Sequence, residues 1–394
     1  MPANALFRPT FADLRAEIER RVAHGASSAE IDDLIGQFLL AGGAAPAPCV
    51  EYDGTVTWLY RESTGASVSV VGDILGYDPA GTRMSRLPGC DLLFLTASIP
   101  LDARLAYSFV VERGDASDRR TAPIVDPLNS RRMLATDPLR PLSILEMPNA
   151  RPVPELEDGD GDEPNVLYQV IGSADGTTWA RVWIYLPPDY DPVDRRYPAL
   201  YLLDGEAYLV SARTPRIMDA LVAQGEVAPA IVVFVERPGG PSGGDAAYAQ
   251  FLAEDLVPWI DARYPTSTDP QERAIGGAGT SGALSLYVAL EHPDMFGRVL
   301  AQSPLGRSLV VHLPGLLARN AARGFGPPLC YIDVGRYDHP GRIESAQSLC
   351  GALLGRGATV SYQDFGGDHS FLGWRATLPD ALRFHFGVPP LAGL

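Results

Sequence analysis

Three stretches in the second half of this 394-residue chain hold residue types that hydrolytic chemistry uses. The first, Ile275-Gly276-Gly277-Ala278-Gly279-Thr280-Ser281-Gly282-Ala283, passes from an apolar strand pattern to a helical one through a cluster of small residues. That is the shape of a nucleophile elbow, in which G-x-S-x-G presents a side chain on a strained turn at the start of a helix. Small residues there also serve close helix-strand packing, so the bare pattern is a weak signal. The second, Gly366-Gly367-Asp368-His369-Ser370-Phe371-Leu372-Gly373-Trp374-Arg375, puts His369 on a loop between a strand and a helix, where an imidazole can work as a general base. The third, Tyr331 to Asp338, offers two acids: Asp333 inside a strand pattern and Asp338 in the turn after it. Either can orient an imidazole and stabilise its charged form. The other five histidines, His24, His292, His312, His339 and His385, are read as structural.

Such turns need a scaffold that gathers strand ends. From residue 165 onward the spacing predicts strands at 166–171, 180–186, 199–203, 230–235, 273–277, 299–302, 329–334 and 359–365. Helical patterns fall between them at 217–223, 248–262, 282–291, 343–354 and 379–386. After residue 199 the strands are continuous apolar runs, which fits a parallel sheet covered on both faces. The alternation implies a three-layer α/β domain over 165–394, with ligands at the carboxyl ends of its strands. The front of the chain differs. Residues 1–48 form a helical segment, with Phe11, Leu14 and Ile18, then Ile31, Leu34, Ile35 and Leu39, at helical spacing. Short alternating runs separated by Gly, Pro and Asp then predict a small β-sandwich within 49–147. An acidic, Pro-rich linker spans 148–164. Its Asp158, Asp160 and Asp162 have the opening spacing of a calcium loop, but Glu163 stands where that loop needs Gly and Gln169 where it needs Glu. No metal is expected.

Composition removes several function classes. The net charge of −16 disfavours nucleic acid and anionic membranes as partners. All 32 basic residues are arginine, so Schiff-base chemistry, a phosphate-loop lysine and a Ser-Lys dyad are excluded. Cys49, Cys90, Cys330 and Cys350 are widely separated and read as buried free thiols. The first 21 residues hold no apolar stretch of signal-peptide length, and no run reaches a membrane span, which predicts a cytoplasmic protein.

Around the elbow the stretch from Arg273 to Ser303, RAIGGAGTSGALSLYVALEHPDMFGRVLAQS, resembles the segment that surrounds the catalytic serine in the enterochelin-esterase and esterase D group. Counting back from Tyr287, from His292-Pro293 and from Phe296 puts that serine on Gly279, with Ser281 in place of the closing glycine. The resemblance implies His369 as general base, five residues before Trp374-Arg375, with Asp368 as an extra residue before it. It implies Asp338 as the matching acid, Asp333 remaining the alternative. Ala199-Leu200-Tyr201-Leu202-Leu203-Asp204-Gly205-Glu206 resembles a strand end whose following N–H forms half of an oxyanion hole; here that N–H is Glu206's, with Thr280's as its partner. Arg237 and Trp374 are candidates for substrate contact, Arg237 with a salt bridge inside the fold as the alternative. Trp58, Met84, Leu87-Pro88-Gly89, Tyr107 and Asp126-Pro127-Leu128-Asn129 resemble the immunoglobulin-like front domain of enterochelin esterases.

The fold expected from this resemblance is an α/β-hydrolase domain preceded by an immunoglobulin-like β-sandwich. The expected function is carboxylic-ester hydrolysis without a cofactor, on a small-molecule ester, catecholate siderophores among the candidates. With glycine at the nucleophile position, activity is expected to be low or absent. Two alternatives stand beside this: a pseudo-hydrolase that binds an ester, catecholate or glycan without turnover, and a feruloyl- or acetyl-ester hydrolase that uses Ser281 on a shifted elbow.

Overall fold

The computed structural model describes residues 9–43, 46–76, 78–112, 123–133, 142–156, 164–237 and 245–388; Asp158, Asp160 and Asp162 lie outside them. The chain divides into two units, Met1–Arg151 and Pro152–Leu394.

The first unit opens with helices α1 (Phe11–Ala23) and α2 (Ser28–Ala41). Each begins at a capping box, Thr10 with Asp13 and Ser27 with Glu30, in which side chain and backbone satisfy one another's donors. Their buried stripes, Phe11, Leu14 and Ile18 facing Ile31, Ile35 and Phe38, pack with Leu59, Leu87 and Leu92. Strands β1 (Cys49–Val50), β2 (Thr55–Arg61), β3 (Ser67–Val71), β4 (Ser85–Arg86), β5 (Leu92–Ser98), β6 (Arg104–Glu112), β7 (Arg132–Met133) and β8 (Leu142–Glu146) follow. They form two four-stranded sheets, ordered β1-β2-β5-β4 and β3-β6-β8-β7, with every pairing antiparallel. Trp58 and Tyr60 on β2 meet Tyr107 and Phe109 on β6 edge to face at 6.0 and 5.2 Å. Beneath them the Tyr107 hydroxyl donates to Asp126 at 2.7 Å and accepts from Asn129 at 3.0 Å, while Ser143 Oγ accepts the Asp126 N–H at 2.8 Å. Burial pushes the Asp126 carboxyl up to about 6, against the pull of its hydrogen bonds.

The second unit is built on an eight-stranded sheet. Strands β9 (Val166–Gly172) and β10 (Trp179–Tyr185) form a hairpin; then come β11 (Ala199–Leu203), α3 (Gly205–Val210), α4 (Thr214–Ala223) and β12 (Ile231–Glu236). A helix of three parts follows, α5 (Asp245–Phe251), a π turn at Leu252–Leu256 and α6 (Val257–Asp261). The remaining elements alternate: β13 (Arg273–Ala278), α7 (Thr280–Glu291), β14 (Arg298–Gln302), α8 (Arg307–Ala322), β15 (Leu329–Gly335), α9 (Pro340–Leu354), β16 (Val360–Phe365) and α10 (Phe371–Phe386). The order is β16-β15-β14-β13-β11-β12-β10-β9, parallel from β16 through β12 and antiparallel beyond. One buried cluster lies on each face of the sheet, the larger including Tyr201, Val233, Leu252 and Leu349, the other Leu200, Phe234, Met218 and Leu382.

Three helices differ from the sequence expectation: α3 and α8 stand where none is expected, and the last helix starts earlier. α8 runs through Pro314 because Leu309, Leu313 and Leu317 hold it against the core. The last helix begins at Phe371 rather than at residue 379. Pro379 suits a first helical position, but Leu372, Trp374 and Leu378 bury one face of the preceding two turns, and that burial carries the helix through it.

Candidate active site

The sheet's connections run in opposite directions from β11 and β13, which are neighbours, so their carboxyl ends flank the crevice where such folds place ligands. Three adjacent strand ends leave the sheet through a residue with positive φ: Asp204 after β11 (φ 58), Gly279 after β13 (φ 56) and Ser303 after β14 (φ 44). For Asp204 and Ser303 this is a strained conformation that the fold imposes; for Gly279 it is nearly free. Gly279 (ψ −120) is the residue immediately before α7. It is held at both backbone ends, donating to Gln302 O at 2.8 Å and accepting from Leu305 N–H at 2.9 Å.

A Cβ placed on Gly279 would lie 3.1 Å from His369 Nε2 and 3.3 Å from its Cε1. The elbow therefore aims its missing side chain at the imidazole. On the other side of the ring, His369 Nδ1 hydrogen-bonds Asp338 Oδ2 at 2.7 Å. Backbone bonds from Arg336 to Phe365 (2.8 Å) and from Tyr337 to Gly367 (3.0 Å) join the loop of Asp338 to the loop of His369. Gly335 permits this: a Cβ there would sit 2.4 Å from Gly367 O. Burial alone would raise the Asp338 carboxyl, but the hydrogen bond and charge of His369, then Arg342 and the His339 N–H, leave it below the usual carboxylate range. Asp338 is an acceptor held ionised against an imidazole. The extra residue Asp368 is buried and takes the Ser370 hydroxyl.

Several expected site residues take other places. Ser281 is 5 % exposed and its hydroxyl donates to Asp204 Oδ1 at 2.8 Å, so its first partner is a carboxylate and not the imidazole. Trp374, expected as a substrate contact, packs beside the imidazole. It is 4 % exposed, its ring stands edge-on to His369 at 4.9 Å, and its indole N–H donates to Ser303 Oγ at 3.0 Å. Arg237 lines an open cleft together with Asp204, Glu236, Tyr248 and Ser281. Its guanidinium lies 4.8 Å from the centre of the Tyr248 ring.

Asp333 is separated from the imidazole by function as well as by position. It is fully buried, and its Oδ2 accepts from Gln302 Nε2 (2.9 Å) and Thr377 Oγ1 (2.6 Å); Gln302 in turn accepts from the Tyr208 hydroxyl at 2.8 Å. Burial, the largest influence, pushes this carboxyl up to about 7. The folded chain thus keeps a proton on Asp333 that the unfolded chain releases near the ordinary pKa of about 4, so stability is lost as pH rises between those values. Asp333→Asn removes this loss. Its stability advantage over the wild type is expected to grow by about 2–3 kcal/mol between pH 5 and pH 8, read from urea unfolding at the two pH values.

The Glu206 N–H follows Asp204-Gly205, where a Cβ on Gly205 would meet Val235 N at 2.4 Å. This close approach sets the start of α3 on the end of β12. The Glu206 N–H, expected above to face ligand, donates to Glu236 Oε2 at 3.3 Å, while the Glu206 side chain pairs with Arg181 at 2.7 Å. Thr280 is the exposed first residue of α7, where backbone N–H groups have no intrahelical acceptor. Asp204 and Glu236 were not singled out by the sequence. A glutamate closing a strand reads as a solvated end until β11 and β12 are known to be neighbours.

The arrangement sets an imidazole, hydrogen-bonded to a carboxylate, against a turn whose residue 279 carries no side chain. Among the described residues no group of three His, Cys, Asp or Glu side chains could hold a metal ion, and no helix is long and apolar enough to cross a membrane.

Residues 178–385 match the family model described as putative esterase. The iron(III) enterobactin esterase of Dickeya dadantii is 24% identical over 384 residues, covering 84% of this chain and 87% of that protein. Among solved structures, the ferric enterobactin esterase of Salmonella typhimurium superposes with a TM-score of 0.70 at 21% identity, over 85% of this chain and 94% of that one. The Shigella flexneri enterobactin esterase, crystallised in the presence of enterobactin, gives 0.68 at 22% identity, over 84% and 92%. At that identity the likeness establishes a shared fold.

Proposed function

Because the chain belongs to the family of putative esterases, we propose that it retains the ligand site and proton-transfer pair of a carboxylic-ester hydrolase without the side chain that forms an acyl-enzyme. It binds a small ester, an aryl or catecholate ester first among them, and hydrolyses it slowly if at all. One observation carries this reading: the Cβ direction of Gly279 points at His369 Nε2 from 3.1 Å. The names of the relatives, iron(III) enterobactin esterases, supply the catecholate suggestion. The two antiparallel sheets of the first unit suit an immunoglobulin-like sandwich, the front domain this group resembles.

In the residual reaction, water attacks the ester carbonyl carbon while His369 Nε2 takes its proton, with Asp338 steadying the imidazolium. The tetrahedral oxyanion points to the Thr280 and Glu206 N–H groups. It collapses by expelling the alkoxide, which takes the proton back from His369, giving acid and alcohol. Ser281 suits this chemistry poorly because its hydroxyl is committed to Asp204.

The test pairs binding with turnover. Titrating the wild-type chain with an aryl ester is expected to give saturable binding by calorimetry and hydrolysis within ~10³-fold of the buffer rate. Fast hydrolysis that disappears in Ser281→Ala would instead make Ser281 the nucleophile.

A further inference from the structure

Glu236 closes β12 and lies in register opposite Arg181 on β10. Across that pair a glutamate and an arginine would ordinarily join, yet the Arg181 guanidinium bonds the Glu206 carboxylate at 2.7 Å. Glu236 turns instead to the backbone, and its Oε2 takes the Glu206 N–H at 3.3 Å. The main chain fixes the donor, since Gly205 rests against Val235 N so closely that no Cβ fits. A neutral glutamine could also accept that N–H, though more weakly. A carboxylate does so at a cost, because Glu236 shares the cleft with Asp204, and burial together with the charges of Asp204 and Glu206 raises its carboxyl above the usual range.

We propose that Glu236 is a second brake on acyl transfer, independent of Gly279, because its carboxylate holds the Glu206 N–H that a carbonyl oxygen gaining negative charge would need. This rests on reading that N–H as an oxyanion donor. Any oxyanion formed beside Gly279 must either displace Glu236 or develop next to its charge, whereas a neutral ester in its ground state meets neither penalty. The residue therefore sets specificity between binding an ester and stabilising its transition state. An oxyanion donor is typically worth 10²–10³-fold in kcat. In a Gly279→Ser background, Glu236→Ala is expected to raise kcat for p-nitrophenyl acetate by ~10- to 100-fold with little change in KM. Glu236→Gln, which removes the charge and keeps an acceptor, should fall between.

A direct view of the bond uses carbonyl-¹³C glycine with ¹⁵N glutamate, which selects amides of Gly-Glu pairs. The chain has two, Gly205-Glu206 and Gly225-Glu226, and the second serves as reference because its N–H bonds Leu221 O at 3.0 Å. In Glu236→Ala the Glu206 amide proton is expected to move upfield with Glu226 unmoved, and added benzoate should then shift Glu206 saturably and more tightly than in the wild type. A Glu206 signal indifferent to Glu236→Ala overturns the proposal. So does a double variant no faster than Gly279→Ser alone, in a protein where that serine is active. Should Gly279→Ser itself gain nothing, the esterase reading of the site fails, and the amide shift with benzoate binding still decides the role of Glu236.

Discussion

Gly279→Ser is expected to raise hydrolysis of a p-nitrophenyl ester by at least ~10³-fold over the wild type. In comparable triads, loss of the serine costs ~10⁶-fold in kcat and leaves ~10³-fold over water from backbone donors and binding. The other parts surround Gly279: the Nδ1–Asp338 bond of 2.7 Å and an elbow held by Gln302 O and the Leu305 N–H. Two features keep the expectation below full recovery. A Cβ at 3.1 Å from His369 Nε2 is tight, so the imidazole must withdraw by a few tenths of an ångström. Its ring is 21% exposed, which leaves it room to do so. Serine at φ 56 also carries strain that glycine lacks, so the variant should lose about 1–2 kcal/mol of stability. Steady-state kinetics with a thermal melt checks both halves: a large gain in kcat together with a lower Tm.

His369→Ala in the Gly279→Ser background should return turnover to the wild-type level or below it, erasing the whole gain. Nucleophile and base act as one unit, so removing either costs about as much as removing both. Asp338→Asn in the same background should cost up to ~10⁴-fold, because the amide leaves imidazole geometry intact but favours the wrong tautomer. A base-independent gain from Gly279→Ser would show as activity surviving His369→Ala. Trp374→Phe separates positioning from chemistry. It keeps an edge against the imidazole but gives up the bond to Ser303 Oγ, so it should lower kcat more than it changes KM.

The parallel core of the second unit was legible because strands covered on both faces must be apolar throughout, as at 199–203 and 231–235. Helices that run through a proline were not. Local preference disfavours Pro314 and Pro379 inside a helix, and the burial of Leu313 and Trp374 that outweighs it is tertiary. The elbow was located by family resemblance and counting, since Gly277 to Ala283 alone cannot separate a nucleophile turn from close packing. Spacing left Asp338 and Asp333 open as acids. Their difference is environmental: one carboxylate is ionised beside His369 and Arg342, the other is raised by full burial among Gln302 and Thr377. Glu236 had no sequence signal, because its meaning depends on a hydrogen bond to a residue thirty positions away.

Residue 279, and not Ser281, is proposed to occupy the nucleophile position. A fluorophosphonate that phosphonylates activated serines, followed by intact mass and peptide mapping, tests it most directly. One adduct is expected on residue 279 of Gly279→Ser, lost in Gly279→Ser/His369→Ala, with none on the wild type. An adduct on Ser281 of the wild-type chain, removed by Ser281→Ala, would contradict it.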